Sequence, residues 1–195
     1  MARILLTGPP GSGKGTQAGR ISTRLGIVAI STGEIFRDNV RSGTTLGKEA
    51  AKYIDQGDFV PDRVTNDMVC DRLAQTDAAD GFLLDGYPRT VAQSRFLDQI
   101  LADKGEQLDA VVQLTADSDE LVTRLLKRAV LAGRTDDTET VVRHRLDLYH
   151  RQTEAVVSHY AGLGLLRQVN GSGPVEEITG LILAETTDMR LEQTR

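Results

Sequence analysis

Short apolar runs alternate along the chain with longer segments in which apolar residues recur at helical spacing. A continuous apolar run without polar alternation is typical of a strand that is covered on both faces. The run at 2–7 is of this kind, and further short, mostly apolar strands are predicted at 27–30, 82–85, 110–114 and 165–169, which makes five. Because strands that alternate with helices form parallel sheets, the pattern predicts an α/β fold with a five-stranded parallel sheet and helices on both faces.

The helical segments carry start and stop signals. Ser31 and Glu34 form a capping-box pattern, and Gly26 follows the first helix. Helices are predicted at 16–25, from 31 to a break at 42–43, and at 44–56, 62–75, 90–104, 118–131, 136–160 and 174–186. Residues 31–60 are then a small helical insert between strands. The polar end, 189–195, is predicted to fray.

The segment 8–16, between the first predicted strand and helix, reads Gly-Pro-Pro-Gly-Ser-Gly-Lys-Gly-Thr. Glycines let backbone N–H groups turn towards one anion, and the following helix adds the positive end of its dipole. Lys14 adds a charge that can reach terminal phosphates. Gly15 stands where the general pattern has Ser or Thr, and the hydroxyl comes at Thr16. We therefore expect a phosphate-binding loop, with magnesium held mainly by phosphate oxygens and water.

Further charged residues follow predicted strands or lie on the helices next to them. Asp85 ends an apolar strand at the carboxyl edge of the sheet, where α/β folds bind ligands, and an acid there can hold the waters of a magnesium ion. Several arginines lie on the flanking segments, and planar guanidinium groups bind phosphate oxygens two at a time. They are Arg37, Arg89, Arg124, Arg128, Arg134, Arg143 and Arg145. In a net acidic chain, several arginines beside one edge of the sheet favour phosphoryl transfer over ordinary solvated surface arginines.

Composition narrows the class further. The 195 residues suit one domain, and 23 basic against 28 acidic residues give a net charge of −5, so we expect no nucleic-acid partner. Cys70 is the only cysteine, it is expected in the core beside Met68 and Val69, and no disulfide framework is possible. No signal peptide or membrane-length apolar run is present, and a cytoplasmic monomer that binds no membrane is expected.

Four segments taken in order resemble the adenylate kinase family over nearly the whole chain. They are the loop from Gly8 to Gln17, Ile-Ser-Thr-Gly-Glu at 30–34, Phe-Leu-Leu-Asp-Gly-Tyr-Pro-Arg-Thr at 82–90 and Gly-Arg-Thr-Asp-Asp at 133–137. Gly15 in place of Ser or Thr is the family's own form of the loop. The resemblance implies phosphoryl transfer from Mg-ATP to AMP within one P-loop NTPase-type domain, 1–195, with an AMP-binding insert at 31–60.

The resemblance also assigns site residues. ATP contacts are implied for Gly11, Ser12, Gly13, Lys14, Gly15, Thr16, Arg128 and Gly173. AMP contacts are implied for Thr32, Arg37, Asp58, Phe59, Val60, Gly86, Tyr87, Pro88, Arg89, Gln93, Arg134 and Arg145. The implied catalytic residues are Lys14, Arg89, Arg134 and Arg145. No direct protein ligand to magnesium is implied, and Asp85 would act through water.

The lid implied by the resemblance is of the short form, at 129–137. Only five residues separate Arg128 from Arg134, and no cysteines are available there, so no structural zinc is expected. The nearest alternative is a UMP/CMP kinase of the same superfamily, and Thr32 with Gln93 favours AMP over it. A P-loop hydrolase and a nucleotide-sensing module are less consistent with the insert, which implies a second nucleotide site.

Overall fold

The computed structural model describes residues 2–132 and 138–193, and five parallel strands form the centre of this part of the chain. They are β1 (Ala2–Thr7), β2 (Val28–Ser31), β3 (Gly81–Asp85), β4 (Ala110–Thr115) and β5 (Leu166–Asn170). The strand order is β2-β3-β1-β4-β5, and every neighbouring pair is parallel. The predicted fold class is therefore confirmed.

Helices cover both faces of this sheet. They are α1 (Lys14–Leu25), α2 (Thr32–Arg41), α3 (Thr45–Ile54), α4 (Asp62–Leu73), α5 (Val91–Ala102), α6 (Ser118–Ala132), α7 (Glu139–Leu148), α8 (Glu154–Gly162) and α9 (Val175–Gln193). In β1, Ile4 and Leu6 pack with Ile21 of α1 and Ile182 of α9, whereas Leu5 belongs to the core on the other face. This alternation follows from the two-residue period of a strand.

The predicted start and stop signals are used in the structure. The hydroxyl of Ser31 accepts a hydrogen bond from the backbone N–H of Glu34 at 3.4 Å, which caps α2. Gly26 ends α1 in the left-handed conformation, with a φ of 67°. The first helix begins two residues earlier than predicted, at Lys14, because Gly13 takes up the left-handed turn before it.

Three predictions about helices and burial were wrong. The segment predicted as one helix is interrupted at Tyr149–Thr153 by wider, π-type turns between α7 and α8. The last helix continues to Gln193, since no Gly or Pro follows Gly180 to stop it. Cys70 is exposed, because helical rotation buries Met68 and Val69 and turns the next position outwards.

One close approach fixes the shape of the insert. The backbone of Gly47, in the first turn of α3, lies against α2, and a Cβ added there would be 2.1 Å from the carbonyl oxygen of Asn39. Only glycine allows the two helices to come this close. In the described part of the chain, no helix combines the length and apolar character needed to cross a membrane.

Candidate functional site

A cleft of about 870 Å³ opens at the carboxyl edge of the sheet, beyond the ends of β1 and β3. Every residue that the resemblance assigns to the site and that the structure describes lines this cleft, whereas Arg134 lies outside the described residues. Arg143, one of the arginines expected beside the phosphates, does not line the cleft, and its guanidinium pairs with Glu139 at 2.9 Å. The loop side contributes Gly11, Ser12, Gly13, Lys14, Gly15, Thr16, Arg128 and Gly173. The insert side contributes Thr32, Arg37, Asp58, Phe59, Val60, Gly86, Tyr87, Pro88, Arg89 and Gln93, and α7 contributes Arg145.

The glycine-rich loop forms a tight cradle at the start of α1. Gly8 has a φ of +139°, and a Cβ added there would lie 2.4 Å from the carbonyl oxygen of Leu114, so a side chain does not fit. The Nζ of Lys14 donates to the carbonyl oxygens of Gly8 at 2.7 Å and Pro9 at 2.9 Å. The hydroxyl of Ser12 is buried and has no hydrogen-bond partner within the described residues. A buried hydroxyl without a partner is costly, so the loop suits a ligand oxygen.

Lys14 lies in an electrostatic environment that disfavours its charge when no anion is bound. Burial lowers the pKa of Lys14 from 10.5 to about 8, the carboxylate of Asp85 opposes this shift, and the cations Arg89 and Arg128 add to it. Burial likewise lowers the pKa of Arg89, with Arg145 and Arg37 contributing in the same direction. Among the described residues, the cleft therefore gathers six cationic side chains, these five and Arg124, and a polyphosphate would stabilise their charges.

The loop after β3 positions Arg89 through its own backbone. The carbonyl oxygen of Gly86 accepts hydrogen bonds from the Nε of Arg89 at 2.7 Å and from the hydroxyl of Thr32 at 3.0 Å. The guanidinium of Arg89 also lies over the ring of Phe59, 5.2 Å from its centroid. The guanidinium of Arg89 is thus held by the Gly86 carbonyl oxygen and by the ring of Phe59.

A buried amide connects Arg89 to helix α4. The Oε1 of Gln93 accepts from the backbone N–H of Arg89 at 2.7 Å, and its Nε2 donates to the Oδ1 of Asp62 at 2.7 Å. The other carboxylate oxygen of Asp62 accepts from the hydroxyl of Thr90 at 2.8 Å. The orientation of the Gln93 side chain is therefore determined by groups on two other segments.

Helix α7 contacts the insert across the mouth of the cleft. The Nη2 of Arg145 donates to the carbonyl oxygen of Ile54 at 3.1 Å, and the Nε2 of His144 lies 2.7 Å from the Oδ1 of Asp58. Gly57 lies between them, and a Cβ there would be 3.0 Å from a methyl group of Val141. In this structure the insert, 31–60, is thus docked against α7.

Sequence reasoning missed several residues that line the cleft. Tyr149 and Thr153, at the two ends of the π-type segment, are both buried there, and the hydroxyl of Thr153 donates to the carbonyl oxygen of Arg89 at 3.2 Å. No sequence signal marks them, because the pattern indicated one regular helix. Arg124, named above among the arginines expected beside the phosphates but not among the residues that the resemblance assigns, also lines the cleft and donates to the carbonyl oxygen of Gly171 at 3.0 Å.

The protein groups available for a metal are few. Asp85 is buried at the end of β3, and its carboxylate lies 3.7 Å from the position of a Cβ built on Gly15. Within residues 2–132 and 138–193, no group of three or more His, Cys, Asp or Glu side chains is placed to hold a metal ion. One carboxylate beside a phosphate loop fits a magnesium ion that keeps most of its waters and binds mainly phosphate oxygens.

The fold and the site together define a P-loop nucleotide kinase: a parallel sheet, a glycine-rich loop with its lysine, and arginines that face the loop across a two-sided cleft. Residues 6–165 match the family model described as adenylate kinase, and the chain belongs to this family.

Curated bacterial relatives resemble the chain over nearly its full length. The adenylate kinase of Pseudarthrobacter chlorophenolicus is 65% identical over 183 residues, which cover 94% of this chain and 95% of that one. The adenylate kinase of Renibacterium salmoninarum is 63% identical over 190 residues, with 97% and 98% covered. The adenylate kinase of Micrococcus luteus is 58% identical, with 97% and 93% covered.

Proposed function

We propose that this protein catalyses the reversible reaction of Mg-ATP with AMP to give two ADP, and so balances the adenine nucleotides. The γ-phosphoryl group leaves ATP, which becomes ADP, and bonds to a phosphate oxygen of AMP, which becomes the second ADP. Family membership over nearly the whole chain is the observation that carries this proposal. The same relatives do not favour the alternative UMP/CMP kinase.

The loop side of the cleft is proposed to hold ATP. The backbone N–H groups of Gly11–Thr16 and the Nζ of Lys14 would bind its phosphates, and the buried Ser12 hydroxyl could take a partner there. Arg128 would add charge from α6, and Gly173 would lie near the adenine. Magnesium, when bound with ATP, would neutralise phosphate charge, and Asp85 would hold one of its waters.

The insert side is proposed to hold AMP. Thr32, Gln93, Gly86–Pro88 and the segment Asp58–Val60 line this part of the cleft. Arg37, Arg89 and Arg145 would grip the AMP phosphate and the transferring group, with Arg134 joining them from the lid. Catalysis then consists mainly of positioning and charge neutralisation, as expected for phosphoryl transfer.

Closure of the insert, 31–60, and of the short lid, 129–137, is proposed to exclude water during transfer, since an open site would hydrolyse ATP. A mimic that joins ATP and AMP should slow hydrogen exchange in both segments. If the mimic leaves the hydrogen-exchange rates of both segments unchanged, this division of the chain is contradicted. We further propose that the protein acts as a cytoplasmic monomer without zinc, nucleic acid or membrane partner.

The test is ADP formation from ATP with AMP, CMP and UMP supplied in turn. Turnover with AMP alone is expected. Comparable turnover with CMP or UMP would show that AMP is not the specific acceptor. ATP hydrolysis without an acceptor would indicate a P-loop hydrolase instead.

A further inference from the structure

The side-chain amide of Gln93 is held between two partners of opposite hydrogen-bonding character. Its Oε1 faces the backbone N–H of Arg89, which can only donate, and its Nε2 faces the carboxylate of Asp62, which can only accept. Reversing the amide would set two donors against each other at one end and two acceptors at the other. These neighbours therefore fix which end of the amide carries the oxygen.

Asp62 is itself held in place. It is the first residue of α4, where the helix dipole favours a negative charge, and its second oxygen accepts from the hydroxyl of Thr90. The same Thr90 hydroxyl accepts from the backbone N–H of Gln93 at 3.1 Å and caps α5. The three residues form a closed ring of hydrogen bonds that links the start of α4 to the start of α5.

The fixed amide still has capacity for a ligand. An amide offers two N–H donors and two acceptor positions, and the contacts to Arg89 and Asp62 use one of each. Gln93 is only 1% exposed and lines the cleft, so the remaining donor and acceptor are available to a group bound there.

Adenine offers an amino donor at its six-position and an acceptor at N1, whereas hypoxanthine offers an oxygen acceptor and an N–H donor at the same two places. If the base is held in one pose, adenine and hypoxanthine require opposite orientations of the Gln93 amide. The position of the amide oxygen therefore decides which of the two bases is bound. We propose that Asp62 is a specificity-determining positioning residue, which holds Gln93 in the orientation that accepts adenine and rejects hypoxanthine. This inference rests on the proposed function, in which AMP is the acceptor and Gln93 contacts its base.

The experiment compares AMP with IMP as phosphoryl acceptor in the full-length enzyme. In Asp62→Ala, the ratio of kcat/KM for AMP to that for IMP should fall roughly tenfold or more, as expected for losing a hydrogen bond to a charged group. The fall should come mainly from a higher KM for AMP, with the KM for ATP unchanged. Asp62→Ser, which is too short to reach Gln93 but can still contact Thr90, should behave in the same way.

Two further variants test the mechanism. Asp62→Asn should keep most of the preference, because its carbonyl oxygen still accepts from Gln93 and its amino group can donate to the Thr90 hydroxyl. Asp67→Ala is the matched control, since Asp67 lies on the same helix with its side chain 72% exposed. It should leave the AMP-to-IMP ratio unchanged. Thermal unfolding of each variant confirms that it is folded.

Several results would overturn the inference. They are an unchanged AMP-to-IMP ratio in folded Asp62→Ala or Asp62→Ser, an equal loss for both acceptors, and a loss in Asp62→Asn as large as in Asp62→Ala. Wild-type enzyme that makes no ADP from AMP would instead overturn the proposed function, so the two failures are distinguishable.

Discussion

The imidazole Nε2 of His144 lies 2.7 Å from the carboxylate Oδ1 of Asp58, and this contact joins α7 to the end of the insert, 31–60. The two residues are 86 positions apart in the chain. Their side chains are 39% and 44% exposed, so water weakens the interaction. Its importance lies in its position, beside the Phe59–Val60 backbone that lines the cleft.

Loss of this contact should weaken AMP binding modestly. In His144→Gln, we expect the KM for AMP to rise about two- to fivefold, the range for a partly exposed pair, with the KM for ATP unchanged. His150→Gln is the control, because His150 pairs with Glu154, four positions further along its own helical segment. A charge-reversed pair, Asp58→Lys with His144→Asp, should recover part of the loss. An identical KM for AMP in His144→Gln and His150→Gln would rule out this role.

Arg89→Lys should abolish most activity although the charge is kept. Lysine cannot both donate the hydrogen bond that Arg89 Nε makes to the Gly86 carbonyl oxygen and form a bidentate contact to phosphate. By analogy with arginine fingers, we expect a loss of roughly 10³-fold in kcat. Arg63→Lys, at a side chain that is 93% exposed, should be neutral. Near-normal turnover in folded Arg89→Lys contradicts the assigned role.

Lys14→Met should lose activity on a similar scale, roughly 10³-fold or more in kcat, because the proposed site loses the cation of the phosphate loop. The thioether chain fills similar space, so the loop should keep its fold. Single-turnover kinetics in a folded variant provide the measurement. Rates within tenfold of the wild type would show that the backbone of the loop is sufficient for catalysis.

Nucleotide binding should take up a proton above about pH 8. The pKa of Lys14 is lowered to about 8 in the free protein, and phosphate contact favours the charged form. Above that pH, binding must therefore reprotonate Lys14, and ATP affinity should fall by up to about tenfold per pH unit. Below it, Lys14 is already charged and the dependence should vanish. Calorimetry in buffers of different ionisation enthalpy measures the uptake, and Lys14→Met should abolish it.

The same pKa shift has a consequence for folding. Between about pH 8 and 10.5, the unfolded chain keeps the Lys14 proton that the folded, nucleotide-free protein has lost. Because the unfolded state then binds more protons, this group makes the folded state more stable as pH rises through that window. The difference between wild type and Lys14→Met in urea unfolding, measured at several pH values, isolates this contribution.

Gly47→Ala should destabilise the insert. The added Cβ would lie 2.1 Å from the carbonyl oxygen of Asn39, so α2 and α3 must move apart, at a cost of about 1–3 kcal/mol. Gly19→Ala is the matched control within a helix, since nothing lies within 4 Å of its Cβ position, and it should stabilise by about 0.5–1 kcal/mol. Urea unfolding gives both values. Equal stabilisation by the two substitutions would show that the close approach of the helices is not required.

The fold was predictable from the sequence wherever the signal is local. Buried strands need continuous apolar runs, the phosphate loop needs glycines at fixed positions, and Ser31 caps its helix through a residue three positions later. These signals depend on neighbouring residues alone and not on the rest of the chain. The resemblance to adenylate kinases, which short motifs carry, implied that Gly11–Thr16, Arg89 and Gln93 belong to one site, and all of them line the cleft.

Tertiary structure alone decided the interactions that join distant segments. Asp62 contacts Gln93 31 positions away, and Thr153 reaches the backbone of Arg89 64 positions away. Cys70 turned outwards, although its sequence neighbours are apolar, because the helix could bury only one face. The partners of a side chain on distant segments depend on how whole helices pack. The residue pattern of one segment does not specify the surface against which that segment packs.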